Sequence, residues 1–188
     1  FSESVTDFEG SDLTITNGTV NTFTGSGASY TATIDPLADG EVIVSIAEGA
    51  VSNNANSFNL ASNELNIIFD GSSPTTVVSS TTSNPTNEPF DVTITFGEIV
   101  TGFELANIMV ENGTASNLSG SEDSYTATIT PANDGVVSIN IAAGSANDQA
   151  GNGNEASNTL SVIFDSTSPT VVISTVAGSP TNSPFDIM

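Results

Sequence analysis

The sequence predicts an all-β fold built from tandem β-sandwiches. Three observations support this prediction. The sequence repeats itself with a period of 95 residues, each period contains short segments in which apolar and polar residues alternate, and no segment has the periodicity of a helix. Alternation with a period of two places every second side chain on the same face of a strand, as expected for sheets with one buried face.

The internal repeat is visible when the sequence is shifted by 95 positions. The two copies then align without a gap, and about half of the aligned positions are identical. Phe1 aligns with Phe96 and Tyr30 with Tyr125, the hexapeptide SYTATI occurs twice, and so does PTN followed by PFD. A period of this length corresponds to whole domains rather than to the coils of a solenoid. The chain is therefore predicted to be a tandem array.

Seven short segments of the second period are predicted to form strands. In order along the chain they read TVVSS, FDVTITF, NIMVENG, ASNLSG, SYTATIT, VSINIA and LSVIF. In the second of these, the apolar residues Phe90, Val92, Ile94 and Phe96 fall on one face. Seven short strands within one 95-residue period favour a Greek-key β-sandwich of immunoglobulin type.

Longer stretches of the chain resemble a known family. These are SPTTVVSSTTSNPTNEPFDVTITFGEIVTGF, ITPANDGVVSINIAAGSANDQAGNGN and FDSTSPT, and with their repeats they cover essentially the whole chain. They resemble the bacterial Ig-like domains that repeat in large surface adhesins and secreted cell-surface proteins. The resemblance implies a non-enzymatic structural repeat of an extracellular adhesin, stalk or fibre, which spaces a functional tip from the bacterial surface.

The repeat divides the chain into three predicted segments. Residues 1–73 form an Ig-like repeat that lacks its first two strands, residues 74–169 form a complete repeat, and residues 170–188 supply the first two strands of a following repeat. Two explanations stay open. The chain is a window on a longer array, or its last segment completes the first domain of a neighbouring molecule by strand donation.

The composition excludes several classes of function. The sequence has 22 Asp and Glu residues, no Lys, Arg, His or Cys, and a formal charge of −22. Nucleic acids and anionic membrane surfaces are bound through Lys and Arg, so neither is an expected partner. No apolar run is long enough to insert into a membrane. We also predict no enzymatic activity, because catalysis by His, Cys or an activated Ser lacks its residues.

Carboxylates are predicted to converge at one pole of the complete repeat. Glu98 follows the second strand, Asp148 lies in the loop ANDQAGNGNEAS after the sixth strand, and Asp70 closes the last strand of the preceding repeat. In a Greek-key sandwich these loops share the pole that faces the incoming linker. Together with Asn152 or nearby carbonyl groups, they would offer the six to eight oxygen ligands that Ca²⁺ requires.

The first repeat differs at this predicted calcium site. It has Glu3 at the position of Glu98, but Asn53 at the position of Asp148. The first repeat is therefore predicted to bind calcium more weakly or not at all. Resembling adhesin repeats commonly use interdomain Ca²⁺ to stiffen a stalk. The simpler alternative is a solvated cluster of acids, with no metal bound.

Two further interpretations concern partners and modification. Loops of each repeat could bind a surface glycan or a partner cell. The aromatic content is only 6%, and it is mostly Phe on inward faces, which leaves few exposed rings to stack on a sugar. This favours a spacer whose partners are neighbouring repeats of the same or an identical chain. Asn17, Asn112 and Asn117 lie in N-x-[ST] triplets and are candidates for glycosylation. The sequence NGT also favours a hairpin turn, which is the preferred interpretation.

Overall fold

The computed structural model describes residues 1–176, 179, 182–184 and 186–188. These residues form two compact units. The first comprises Phe1–Thr76, Phe96–Phe103 and Ala142–Ala156, and the second comprises Val77–Thr95, Glu104–Ile141 and Ser157–Met188. The predicted domain boundaries at residues 73 and 169 stay a prediction.

The first unit contains five strands in two sheets. They are β1 (Leu13–Thr16), β2 (Gly18–Ser26), β3 (Ser29–Pro36), β4 (Gly40–Ile46) and β5 (Leu65–Phe69). One sheet has the order β1-β4-β5, and the other is the pair β2-β3. A 3-10 helix, Gly10–Asp12, precedes β1.

An aromatic cluster forms part of the core of the first unit. The ring of Phe8 lies 4.9 Å from Phe1, 5.2 Å from Phe23 and 5.1 Å from Tyr30. Phe8 is buried together with Val5 and Val51. Edge-to-face contacts of this kind stabilise a core beyond the burial of area, so the half-buried ring of Tyr30 packs against the apolar interior.

Seven strands follow along the chain and account for the complete repeat. They are β6 (Thr76–Ser79), β7 (Phe90–Phe96), β8 (Ile108–Glu111), β9 (Gly113–Ser121), β10 (Ser124–Pro131), β11 (Gly135–Ile141) and β12 (Leu160–Phe164). A second 3-10 helix, Leu105–Asn107, precedes β8. One sheet has the order β6-β7-β10-β9 and the other β12-β11-β8. This is the strand arrangement of a constant-type immunoglobulin sandwich, so the predicted fold class is confirmed.

The inward faces of this sandwich are those that the sequence alternation predicts. In β7, Phe90, Val92, Ile94 and Phe96 are all buried, and the residues between them are more accessible. The registers of the two repeats also correspond. Ile108 pairs with Ile141 between β8 and β11, and the residues 95 positions earlier, Leu13 and Ile46, pair in the same way.

The two NGT sequences do not form hairpin turns, because the strands on either side belong to different sheets. Asn17 and Asn112 instead have φ angles of 57° and 59° at the crossing points. Each side-chain amide donates a hydrogen bond of 2.8 Å across the connection, from Asn17 to the carbonyl oxygen of Ala38 and from Asn112 to that of Asn133. The predicted turn is therefore a sheet-to-sheet connection that an asparagine closes.

The segment after β12 contains few regular contacts among its described residues. Ser174 and Met188 exchange two backbone hydrogen bonds of 3.0 and 3.2 Å. Residues 177, 178, 180, 181 and 185 lie outside the described residues, so the two strands predicted within 170–188 stay a prediction. In the described part of the chain, no helix has the length and hydrophobicity needed to cross a membrane.

Candidate metal centre

Three carboxylates converge in the first compact unit. Asp70 follows β5, Glu98 follows β7, and Asp148 lies in the loop between β11 and β12. One carboxylate oxygen of each residue lies within 4.8 Å of the others. Asp148 is buried, and the other two are half-buried. The structure thus brings together the three acidic residues that the sequence places at one pole.

The loop fixes the Asp148 carboxylate through its own backbone. Oδ1 of Asp148 accepts hydrogen bonds from the N–H groups of Gly151, at 2.7 Å, and Asn152, at 2.8 Å. Gly151 has a φ of +98°, a conformation that favours glycine. Two backbone hydrogen bonds, of 2.7 and 3.0 Å, join Thr101 to Asn147 and hold this loop beside the loop after β7. The loop therefore forms a turn whose backbone fixes the direction of the Asp148 carboxylate.

Asn152 connects the loop to the linker after β5. Its Nδ2 donates hydrogen bonds to Oδ2 of Asp148, at 2.9 Å, and to the main-chain oxygen of Asp70, at 3.0 Å. Asn152 thus lies at the cluster as the sequence predicts, but it contributes a donor in this arrangement. Its own carbonyl oxygen would face a cation only if the amide group turned over.

The pKa values of Glu98 and Asp148 are shifted in opposite directions. Burial raises the pKa of Glu98, and the negative charges of Asp70, Asp148 and Asp39 raise it further. Burial alone would also raise the pKa of Asp148. Hydrogen bonds from the Asn152 side chain and from the backbone N–H groups of residues 150–152 outweigh it and lower the pKa. Asp148 is therefore held as the anion, whereas Glu98 is protonated more readily than an ordinary glutamate.

A fourth carboxylate anchors the linker and was not predicted from the sequence. Asp39 accepts a hydrogen bond from the Ser72 hydroxyl group and another, of 2.7 Å, from the N–H of Gly71. These two hydrogen bonds lower the pKa of Asp39. The sequence feature that could have indicated this role is the Asp-Gly pair at the start of β4, because the same pair recurs 95 residues later.

The same anchor recurs in the second repeat. Asp134 accepts hydrogen bonds from the Thr167 hydroxyl group, at 2.5 Å, and from the N–H and hydroxyl groups of Ser166, at 2.8 and 2.7 Å. These bonds lower the pKa of Asp134. Both repeats therefore fix the residues that follow their last strand with one aspartate.

The first repeat has the same loop geometry with different charges. Oδ1 of Asn53 accepts hydrogen bonds from the N–H groups of Ala55 and Ser57, at 2.9 and 3.0 Å. Its Nδ2 donates a 3.0 Å hydrogen bond to Oε2 of Glu3. An amide therefore satisfies the glutamate here, whereas at Glu98 and Asp148 the corresponding groups are both carboxylates.

A buried asparagine holds the base of the Asp148 loop. Asn154 is 2% exposed. Its Oδ1 accepts a hydrogen bond from the N–H of Ala146, at 2.8 Å, and its Nδ2 donates to the Thr76 hydroxyl group and to the carbonyl oxygens of Ala142 and Glu155, at 2.7 to 3.1 Å. With its polar atoms satisfied, the side chain ties the loop to residues at both of its ends.

The order of strands in the two sheets and the recurrence of the same register after 95 residues define a protein built from tandem Ig-like sandwiches. The profile of the family described as "Bacterial Ig-like domain" matches residues 1–69 and again residues 70–163. The chain belongs to this family. A comparison with curated proteins found no match. Bacterial Ig-like domains are non-catalytic modules, of structural or adhesin type, and are common in surface and extracellular proteins.

Proposed function

We propose that this chain is a non-enzymatic structural region of a bacterial extracellular adhesin, stalk or fibre, and that it spaces a functional tip from the cell surface. We further propose that Ca²⁺ stiffens it where one repeat joins the next. The observation that supports the calcium site is the approach of Asp70, Glu98 and Asp148 to within 4.8 Å, because Asp70 lies at the boundary between the two family matches, residues 1–69 and 70–163, and the other two lie within the second.

The charge of the cluster favours a bound cation. Three carboxylates at this distance repel one another, and the sequence has no Lys, Arg or His to neutralise them. Protonation of Glu98 removes one of the three negative charges, and a divalent cation offsets two of them at neutral pH. An ion that binds only the folded arrangement stabilises it, by ~2.7 kcal/mol at about 100 times its Kd.

The donor set favours calcium over transition metals. The groups at hand are carboxylates and the main-chain oxygen of Asp70, all of them hard oxygen ligands. Ca²⁺ accepts six to eight such ligands in flexible geometry, whereas Mg²⁺ requires a stricter octahedron. A site formed by two loops and a linker suits the more tolerant ion.

Calorimetric titration of the full chain with CaCl₂ tests the proposed site. We expect one Ca²⁺ to bind with a Kd in the range of extracellular modules, about 10⁻⁴ to 10⁻³ M. Small-angle scattering in chelator and in calcium tests the stiffening, and we expect a more extended and less variable particle with calcium. No heat of binding in the parent chain would overturn the calcium proposal, and a glycan array with specific micromolar binding would overturn the spacer.

A further inference from the structure

A short segment of the second unit, residues 84–86, lies along the outer edge of β12 and is called the strap. Thr86 forms a parallel bridge with Phe164, whereas β11 pairs with the other side of β12 in the antiparallel direction. The N–H of Thr86 donates to the carbonyl oxygen of Ile163, and the N–H of Asp165 donates to that of Thr86, both at 2.9 Å. The strap therefore joins an early part of the repeat to its last strand.

The side chain of Asn84 extends this parallel pairing by one step. In a regular parallel ladder, the main chain of residue 84 would accept from the N–H of Ile163 and donate to the carbonyl oxygen of Ser161. Here the side-chain amide makes both contacts, because Oδ1 accepts from Ile163 at 2.9 Å and Nδ2 donates to Ser161 at 3.4 Å. Asn84 thus adds to the two main-chain hydrogen bonds of Thr86, which is 9% exposed.

A second side-chain amide binds β6 in the same direction. Asn158, just before β12, accepts from the N–H of Val78 at 2.9 Å and donates to its carbonyl oxygen at 3.0 Å. Val78 is 2% exposed. Along the early part of the repeat the contacts come at residues 78, 84 and 86, and along the last strand they come at residues 158, 161–163 and 163–165. The two stretches therefore run parallel over all of these contacts.

The parallel direction determines how these hydrogen bonds respond to tension along the chain. Tension pulls β6 and the strap toward their N-terminal ends, and it pulls β12 toward its C-terminal end. In a parallel pair these are opposite ends, so the hydrogen bonds are sheared and must break together. In an antiparallel pair they would be the same end, and the bonds would open one at a time. Since each bond adds to the barrier only when it breaks with the others, shear gives the slower rupture.

We propose that the strap, together with Asn158, is a mechanical clamp through which the second unit bears tensile load along the chain. The clamp consists of hydrogen bonds from main-chain groups and the two side-chain amides to β12 and to β6. Its use in a stalk rests on the proposed function, whereas the resistance to force does not.

The clamp needs no metal, because amide and carbonyl groups make all of its contacts. The resistance to force is therefore expected in chelator as well as in calcium. Calcium titration and small-angle scattering test the metal and the stiffening, and either can give a negative result without changing this expectation. The two proposals can thus fail separately.

Single-molecule pulling on the full chain in chelator tests the clamp. The sequence has no Cys, so two introduced cysteines can carry the handles. The pair Val77→Cys and Ser168→Cys, both at exposed positions, loads β6 and the strap against β12 in shear. The pair Asn87→Cys and Ser168→Cys, also at exposed positions, pulls the strap and β12 from the same end and unzips them. At equal force, unfolding should be at least about tenfold slower with the first pair.

Asn84→Ala tests the side-chain amide of the strap. In the shear geometry it should unfold about fivefold faster than the parent at the same force, because one hydrogen bond of the clamp is lost. The matched control is Asn87→Ala, at an exposed asparagine just beyond the strap, which should behave as the parent. In the unzipping geometry Asn84→Ala should have little effect, because the hydrogen bonds of Thr86 open first.

Equal unfolding rates for the two pairs of handles would overturn the proposal. That comparison keeps Asn84 and Thr86 unchanged, so it does not depend on whether Asn84→Ala folds. The proposal is also wrong if Asn84→Ala accelerates unfolding equally in both geometries, since its effect would then be one of general stability.

Discussion

Asn53 donates a hydrogen bond of 3.0 Å to the Glu3 carboxylate, whereas the equivalent pair in the next repeat, Asp148 and Glu98, brings two carboxylates together. The loops are otherwise built alike, because Oδ1 of Asn53 and of Asp148 each accepts two backbone N–H groups of its own turn. One repeat therefore satisfies its glutamate internally, and the other leaves a negative cluster that a proton or a cation can neutralise.

Asp148→Asn tests whether this cluster binds calcium. The substitution keeps the shape of the side chain, removes one charge and copies Asn53. We expect calcium affinity to fall by more than about tenfold and the calcium-dependent rise in Tm to shrink, while the fold is retained. Calorimetry with and without CaCl₂ measures both effects.

Glu111→Gln is the matched control for that substitution. Glu111 is exposed at the end of β8 and loses the same charge when it is changed to Gln. Its calcium response should equal that of the parent. If Asp148→Asn and Glu111→Gln both respond to calcium as the parent does, the loop holds no metal.

Glu98→Gln tests the electrostatic state of the metal-free cluster. The folded pKa of Glu98 is raised above its ordinary value of 4.5, so the folded state binds this proton more tightly than the unfolded state. Its contribution to stability is therefore present at low pH and is lost as the pH rises through the raised pKa. Glu98→Gln should raise the Tm in chelator at pH 7 and should have little effect below pH 4.5.

The reverse sign applies to Asp148, which separates the two residues experimentally. The pKa of Asp148 is below its ordinary value of 3.8, so its hydrogen bonds stabilise the fold above that pH and are lost as the pH falls through the lowered pKa. In chelator, the Tm should therefore fall as the pH rises through the raised pKa of Glu98. It should also fall as the pH drops through the lowered pKa of Asp148. If the Tm of Glu98→Gln falls at high pH as much as that of the parent, Glu98 is not the group that causes the fall.

The sequence predicts most of the fold because the repeat supplies each pattern twice. The alternation of apolar and polar residues in FDVTITF and SYTATIT predicts which side chains face inward. The number of strands, seven per repeat, indicates the order of the strands in the two sheets. The convergence of Asp70, Glu98 and Asp148 follows from the same topology, because alternate loops of a Greek key share a pole.

The details that the sequence did not predict depend on hydrogen bonds between distant residues. Asp39 is an ordinary turn aspartate in sequence, and only the path of the linker brings Gly71 and Ser72 to it. The direction of the Asn152 amide, toward Asp148 and Asp70, also depends on the folded linker. The crossing at Asn17 differs from the predicted hairpin because local turn chemistry does not reveal which strands will pair.

Asp39→Ala tests the linker anchor that the structure reveals. Loss of the carboxylate removes the acceptor for Ser72 and Gly71, so the Gly71 N–H should exchange faster with solvent while amides of β4 keep their protection. Because the pKa of Asp39 is lowered, its contribution is present above pH 3.8 and disappears as the pH falls through the lowered value. Asp35→Ala, also an exposed aspartate, is the control. Similar exchange of Gly71 in both variants would exclude an anchoring role for Asp39.

Asn154→Ala should be the most destabilising of these substitutions, because Asn154 is 2% exposed and binds four partners. Truncation leaves the N–H of Ala146 and the hydroxyl group of Thr76 without this partner in a buried place, and each such loss costs about 1–3 kcal/mol. We expect the free energy of unfolding, measured with denaturant, to fall by about 2–5 kcal/mol in total.

The matched variant is Asn59→Ala. Asn59 is the counterpart of Asn154 in the first repeat, is half-buried, and binds Val51, Ala47 and Leu60. Two of the three residues released there, Ala47 and Leu60, are exposed, so the loss should be smaller. Equal losses in the two variants would show that burial of Asn154 does not determine its contribution.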